Sequence, residues 1–181
     1  ELCRDNYANK TAAAENGTIS LLIEQLKEGQ SESKRNAVQA EAAGAIWVLS
    51  EQHETNKLSV EGKHGIAPTV ALLASDNVRA QKHAANALAA PGMENVTNQA
   101  QITNLLVGLL GNGNAHAKSN AAKTLWRIVS ENPSNKEKIA KAGPTSDLIA
   151  LLKDGTVQAK EYALWSLSLS INEGNQKILL E

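Results

Sequence analysis

"NKEKIAKAGPTSDLIALL", residues 135–152, has a near-copy earlier in the chain, "NKTAAAENGTISLLIEQL" at residues 9–26. Both begin Asn-Lys, carry a Gly eight residues on and close with Ser…Leu-Ile…Leu, and they stand 126 residues apart. A third copy, "NKLSVEGKHGIAPTVALL" at 56–73, has its Gly displaced by one residue. If the 126-residue interval holds three units, each is about 42 residues long, and periods of this size belong to stacked helical units.

The rest of the chain fits that reading. Its 181 residues hold about four such units, and 42% hydrophobic with 20% charged residues is enough apolar material for a core. Aromatic residues are 3% with no Phe, whereas Ala and Leu abound. Small and straight-chain side chains favour closely packed helices over a β-sandwich. The net charge is −1, with nine basic and eleven acidic groups in residues 1–90 and nine and eight in 91–181. That balance lacks the basic surplus of a nucleic-acid footprint, so no nucleic acid is expected as partner. Cys3 is the sole cysteine, which excludes an intrachain disulfide and a thiolate metal cluster. A reducing, cytoplasmic setting is the expectation. No apolar run approaches the ~20 residues of a membrane span. The start at Glu1 reads as that of a fragment.

Unit starts fall at Asn9, Asn56, Asn95, Asn135 and Asn175, in steps of 47, 39, 40 and 40 residues. This gives units at 9–55, 56–94, 95–134 and 135–174, with partial units at 1–8 and 175–181. Each is expected to hold a short first helix, a Gly or Pro break, an apolar second helix and a longer Ala-rich third helix. In the last unit Asn135 is placed to cap the first helix, Gly143-Pro144 separates first from second, and Thr156 caps the third. The Asn95 start lacks both the Lys and the Gly. In the first unit, extra residues between Leu26 and Trp47 predict a loop or a further helical turn. Pro91 ends its helix early.

Residues 143–181, "GPTSDLIALLKDGTVQAKEYALWSLSLSINEGNQKILLE", resemble an armadillo repeat in the LL-x-DGT-x-x-AKE-x-A core and the N-x-x-N-x-x-I/L exit. The resemblance extends over nearly the whole chain. It implies an all-α, right-handed superhelix of three-helix units, a solenoid whose third helices line a concave face. Each unit then depends on its neighbours for burial of its apolar stripe. Leu2, Ile178, Leu179 and Leu180, at the raw ends, are candidates for end-to-end self-association.

No enzyme or cofactor site is visible. His53, His64, His83 and His116 lack the i, i+4 pairing of a helical metal site, and each is expected at the surface or in a turn. "GLLGNGNAH", 108–116, follows a helical Leu pattern and lacks the Gly-Lys-Ser/Thr ending of a phosphate loop, so it reads as a loose turn. In the family, importin-α-like members hold basic peptides with paired Trp and Asn on the third helices. Counting thirteen residues from the second Leu of each pair reaches Asn86, Lys123 and Trp165, and four more reach Ala90, Arg127 and Leu169. Only Trp165 fits that pattern. The groove is instead expected to present Lys82, Asn86, Lys123, Arg127, Glu161, Trp165 and Leu169, similar to the basic groove of β-catenin-like members. Such a face suits an acidic or phosphorylated protein segment. Trp47 and Trp126 are expected to pack between units.

Overall fold

The computed structural model describes residues 6–27, 32–89, 96–131 and 135–170, the side chains of 32–36, 96–98, 131, 138, 169 and 170 excepted. The expected end segments, the Asn95 and Asn175 starts, Cys3 and Pro91 lie outside the described residues. Among the described residues every regular element is a helix, and none is long and apolar enough to cross a membrane. The chain forms two compact units, Glu1–Asn98 and Gln99–Glu181.

The first unit contains α1 (Tyr7–Glu15), α2 (Thr18–Lys27), α3 (Glu32–Ser50), α4 (Glu54–Gly62), α5 (Ile66–Ala71) with a 3-10 turn (Leu72–Ala74), and α6 (Val78–Leu88). The extra residues before Trp47 are accommodated as helix, since α3 is 19 residues long. Its core joins Ile19 and Ile23 of α2, Ile46 of α3, Val60 of α4, Ile66 of α5 and Leu73. The second unit contains α7 (Val96–Asn112, whose first turn precedes the boundary), α8 (Ala115–Glu131), α9 (Asn135–Lys141), α10 (Thr145–Asp154) and α11 (Val157–Ser170). Its core is built on Leu106, Leu125, Ile139 and Leu148.

The Gly eight residues after each Asn-Lys start has a defined job. Gly17 and Gly143 adopt φ of 76° and 74°, and their N–H groups donate to Ala14 O at 3.0 Å and Ala140 O at 3.2 Å. In the third copy the displaced Gly leaves His64 at this place. His64 takes φ 58° and donates in the same way to Glu61 O at 2.8 Å. An L side chain is disfavoured there, while glycine is not. His64→Gly is therefore expected to raise stability by about 0.5–1 kcal/mol, as an upward shift of the urea midpoint. In the Asn95 unit Thr103 stands at this position, buried inside α7. With no left-handed residue to turn the chain, first and second helices run on as one 17-residue helix. The expected three-helix unit is a two-helix unit at this place.

A second Gly closes the second helices. Gly113 and Gly155 donate N–H to Leu109 O and Leu151 O, both at 2.9 Å, and the third helices then start from Asn114 and Thr156. Asn114 Oδ1 accepts from Ala117 N at 2.8 Å and Thr156 Oγ1 from Ala159 N at 3.2 Å, so Thr156 is the cap that the sequence indicates. The "GNGN" stretch is a two-residue turn, tight and not loose. In the first unit the residue before the capping Asn77 is Asp76, and there the helix ends in the 3-10 turn Leu72–Ala74.

Asn135 does not cap α9. It is the first helical residue, 3% exposed, and its Nδ2 donates to Ile128 O of α8, seven residues back, at 3.3 Å. Asn56 repeats this: Nδ2 donates to Leu49 O of α3 at 2.9 Å and also to Lys10 O of α1 at 3.1 Å. The cap of α4 is His53, whose Nδ1 accepts from Asn56 N at 3.3 Å. That fixes the proton on Nε2, which donates to Thr11 Oγ1 at 2.9 Å, while Tyr7 stacks on the ring at 4.1 Å. His53 is thus in a turn but buried, a structural residue and not a surface one. The Lys of the motif is structural as well: buried Lys10 donates from Nζ to Glu51 O at the C-terminus of α3, 2.7 Å away.

Candidate functional site

The residues expected to line a groove fall on three third helices. Lys82 and Asn86 stand on α6 of the first unit; Lys123 and Arg127 stand on α8, and Glu161 and Trp165 on α11, of the second. The side chain of Leu169 lies outside the described residues.

In the second unit α8 and α11 pack along their lengths. Ala122 and Leu125 of α8 and Ala163 and Leu167 of α11 are buried, and buried Ser166 donates from Oγ to Ala122 O at 2.9 Å. Small residues here allow the close approach that brings three rings together at the edge of the seam. Trp126 and Trp165 have ring centroids 5.0 Å apart, Tyr162 and Trp165 5.5 Å edge to face, and Trp126 and Tyr162 6.3 Å. These are contact distances for aromatic pairs, so the rings form a continuous shelf and leave no cage between them. Lys123 Nζ lies 5.4 Å from the Tyr162 centroid, a cation–π distance. Arg127 follows one turn later on α8. Lys123, Trp126, Arg127 and Tyr162 are half-buried, whereas Trp165 is 39% exposed and Leu164 56%.

Sequence counting therefore brings Lys123 and Trp165 to one place but misses Tyr162, and it treats Trp126 only as packing. A signal for both is present. Trp47 precedes Trp126 by 79 residues, and His83 precedes Tyr162 by the same 79. In the first unit Trp47 of α3 and His83 of α6 lie 6.5 Å apart at 35°, against 6.3 Å and 31° for Trp126 and Tyr162. The same ring pair is built twice. Around the first copy the neighbours differ: Gly44 takes the place of Lys123 and Asn86 that of Trp165. His83 is accordingly a half-buried helix residue, not the surface or turn residue expected. Its Nδ1 is 2.8 Å from Ala40 O. Arg79 and Glu41 pair at 2.9 Å beside it, both largely exposed.

Among the described residues no three His, Cys, Asp or Glu side chains are grouped as a metal site would need.

No family model matches the chain, and no curated protein matches it. Solved structures do. An engineered protein from a structural genomics consortium aligns over 98% of this chain and 74% of its own, with 24% identity and a TM-score of 0.68. A designed armadillo repeat protein, solved in complex with the peptide (KR)4, aligns over 98% of this chain and 76% of its own at 22% identity and TM-score 0.65. Computationally designed armadillo repeat proteins for modular peptide recognition give 22% identity, TM-score 0.63 and the same shares. With helices as the only regular elements described and this likeness over nearly the whole length, the chain has the all-α armadillo-type repeat fold.

Proposed function

We propose that the protein is a non-enzymatic interaction scaffold whose α8–α11 face binds an extended segment of a partner protein carrying acidic or phosphorylated side chains. One observation supports this above the others: Lys123, with Arg127 one turn further along α8, lies against a shelf of three rings whose outermost member, Trp165, is exposed. An anionic group on the partner would meet the two cations, Arg127 offering paired N–H donors, while a neighbouring apolar side chain lies on Trp165. Structural neighbours of the same fold are designed for peptide recognition. The peptide of one of them is basic; the cations here favour the opposite charge. A reducing, cytoplasmic setting belongs to the same reading.

The test is a fluorescence anisotropy titration with rhodamine-labelled octaglutamate at pH 8. The double reversal Lys123→Glu/Arg127→Glu is expected to weaken binding about tenfold or more. Equal affinity of the two proteins would defeat the reading.

A second reading, association through an open repeat face, has its own observation. By the 79- and 42-residue spacings Leu164 corresponds to Ala85 and Ala122, both buried, whereas Leu164 is 56% exposed. Concentration-dependent sedimentation that Leu164→Glu abolishes would favour it over segment binding.

A further inference from the structure

We infer that the first unit carries a second anion-binding site, formed by His83 of α6 beside Trp47 of α3, which takes a carboxylate of an acidic protein segment when His83 is protonated. The site shares no residue with the α8–α11 face and does not depend on that reading.

The inference follows from how His83 is held. A Cβ at Gly44 would come within 2.6 Å of Nδ1 and 2.9 Å of Cε1, so this edge of the ring rests on the α3 backbone, where Nδ1 reaches Ala40 O at 2.8 Å. A carbonyl only accepts, so Nδ1 carries a proton in the folded protein. Nε2 then sits on the edge turned away from Gly44, as an acceptor in the neutral ring and as a donor once protonated. Protonation keeps the bond to Ala40 and alters only what the ring offers outward.

His53 shows the opposite arrangement. Its Nδ1 accepts from the Asn56 N–H and its Nε2 faces Thr11 Oγ1, so a proton added at Nδ1 would break the bond to Asn56. Of these two histidines only His83 can gain charge without losing a hydrogen bond. Histidine is the side chain whose charge ordinarily changes between pH 5 and 8.

Among the described residues, the charged side chains within four positions of His83 on α6 and of its Ala40 contact on α3 are Arg79 and Lys82, and Glu41. Arg79 and Glu41 offset each other in their 2.9 Å pair. Lys82, exposed, precedes His83 on α6 and lies on a different side of the helix, so protonation of His83 itself supplies the positive group. The Trp47 ring, 6.5 Å from His83, supplies an apolar flank for the segment's aliphatic atoms. In the second unit the corresponding ring is the phenol of Tyr162, which gains no positive charge, so pH sensitivity belongs to the first unit.

The probe is again rhodamine-labelled octaglutamate, whose carboxyl groups stay ionised at pH 6 and above. It is titrated into the full chain carrying Lys123→Glu/Arg127→Glu, so that loss of the α8–α11 face and loss of this site are read separately. Affinity is expected to be about three- to tenfold higher at pH 6 than at pH 8. His83→Asn, whose Nδ2 can replace Nδ1 as donor to Ala40, is expected to bring that ratio to about one, while His64→Gln/His116→Gln leaves it unchanged. No binding at pH 6, a ratio near one before the change, or a ratio that survives His83→Asn would overturn the inference. An independent reading on the unaltered side chain is its ring 15N shifts at pH 8. A proton on Nδ1 supports the site, and a proton on Nε2 overturns it.

Discussion

Replacing Asn56 with alanine is expected to lower the unfolding free energy by about 2–3 kcal/mol, and replacing it with aspartate by more than that. Asn56 is 1% exposed, and its two Nδ2 protons satisfy two main-chain carbonyls, Leu49 O of α3 and Lys10 O of α1. The first belongs to the last turn of a helix, where no intrahelical partner exists. Removing the donor strands Leu49 O away from water, at roughly 1–3 kcal/mol for a buried group, and takes from Lys10 O a bond that it holds in addition to its place in the α1 ladder. Part of that cost is already present in the native protein, because Asn56 Oδ1 is buried without a hydrogen bond, and alanine relieves it. Aspartate does the reverse: it keeps the poorly placed oxygen, puts another against the two carbonyls and adds charge. Urea unfolding should therefore rank the midpoints Asn, Ala, Asp from high to low, with an unchanged slope. A midpoint for Ala equal to that of the unaltered protein would show that the carbonyls find other donors.

Gly155→Ala is expected to cost about 2–3 kcal/mol. A Cβ there would be driven into Leu151 O, with Leu151 Cδ1 at 3.0 Å and Ala159 Cβ at 3.2 Å. The obstruction is the helix's own carbonyl, which cannot swing aside as a side chain would. Gly113 faces the same obstacle in Leu109 O at 2.5 Å and Ala117 Cβ at 2.8 Å, so Gly113→Ala should behave alike. Where the chain carries Asp76 at the corresponding place, the second helix tightens into the 3-10 turn before it. Part of the cost of Gly155→Ala could be recovered by the same tightening, which sets the upper limit of about 3 kcal/mol. A thermal melt falling by several degrees would agree; an unshifted melt would show that α10 yields freely.

Much of the fold was written in positions that can be counted. The spacing of Gly17 and Gly143 marks the turn between first and second helices, and the missing glycine at Thr103 marks its loss, although only the backbone shows that α7 then runs straight through. The Asn-Lys motif was visible yet misread. A cap is a local bond, and local bonds can be anticipated from neighbours in sequence; the bonds of Asn135 to Ile128 O and of Asn56 to Leu49 O arise only once one helix has folded back on another. Lys10 and Lys57, buried despite their charge, are hidden from composition for the same reason. At the candidate site, counting from the Leu pairs samples every fourth residue of a third helix. It therefore reached Lys123 and Trp165 and stepped over Tyr162 and His83, each of which lies one turn from a sampled position.

The asparagine bridges address peptide carbonyls, not side chains. A grip of that kind is indifferent to which residue supplies the carbonyl. Neighbouring segments are thus at liberty to drift in sequence, or to be exchanged by recombination, provided the backbone path is kept. Such tolerance accounts for copies as unlike as those at 9–26 and 56–73 persisting in one polypeptide, and it marks the chain as a candidate for cutting and rejoining at its repeats.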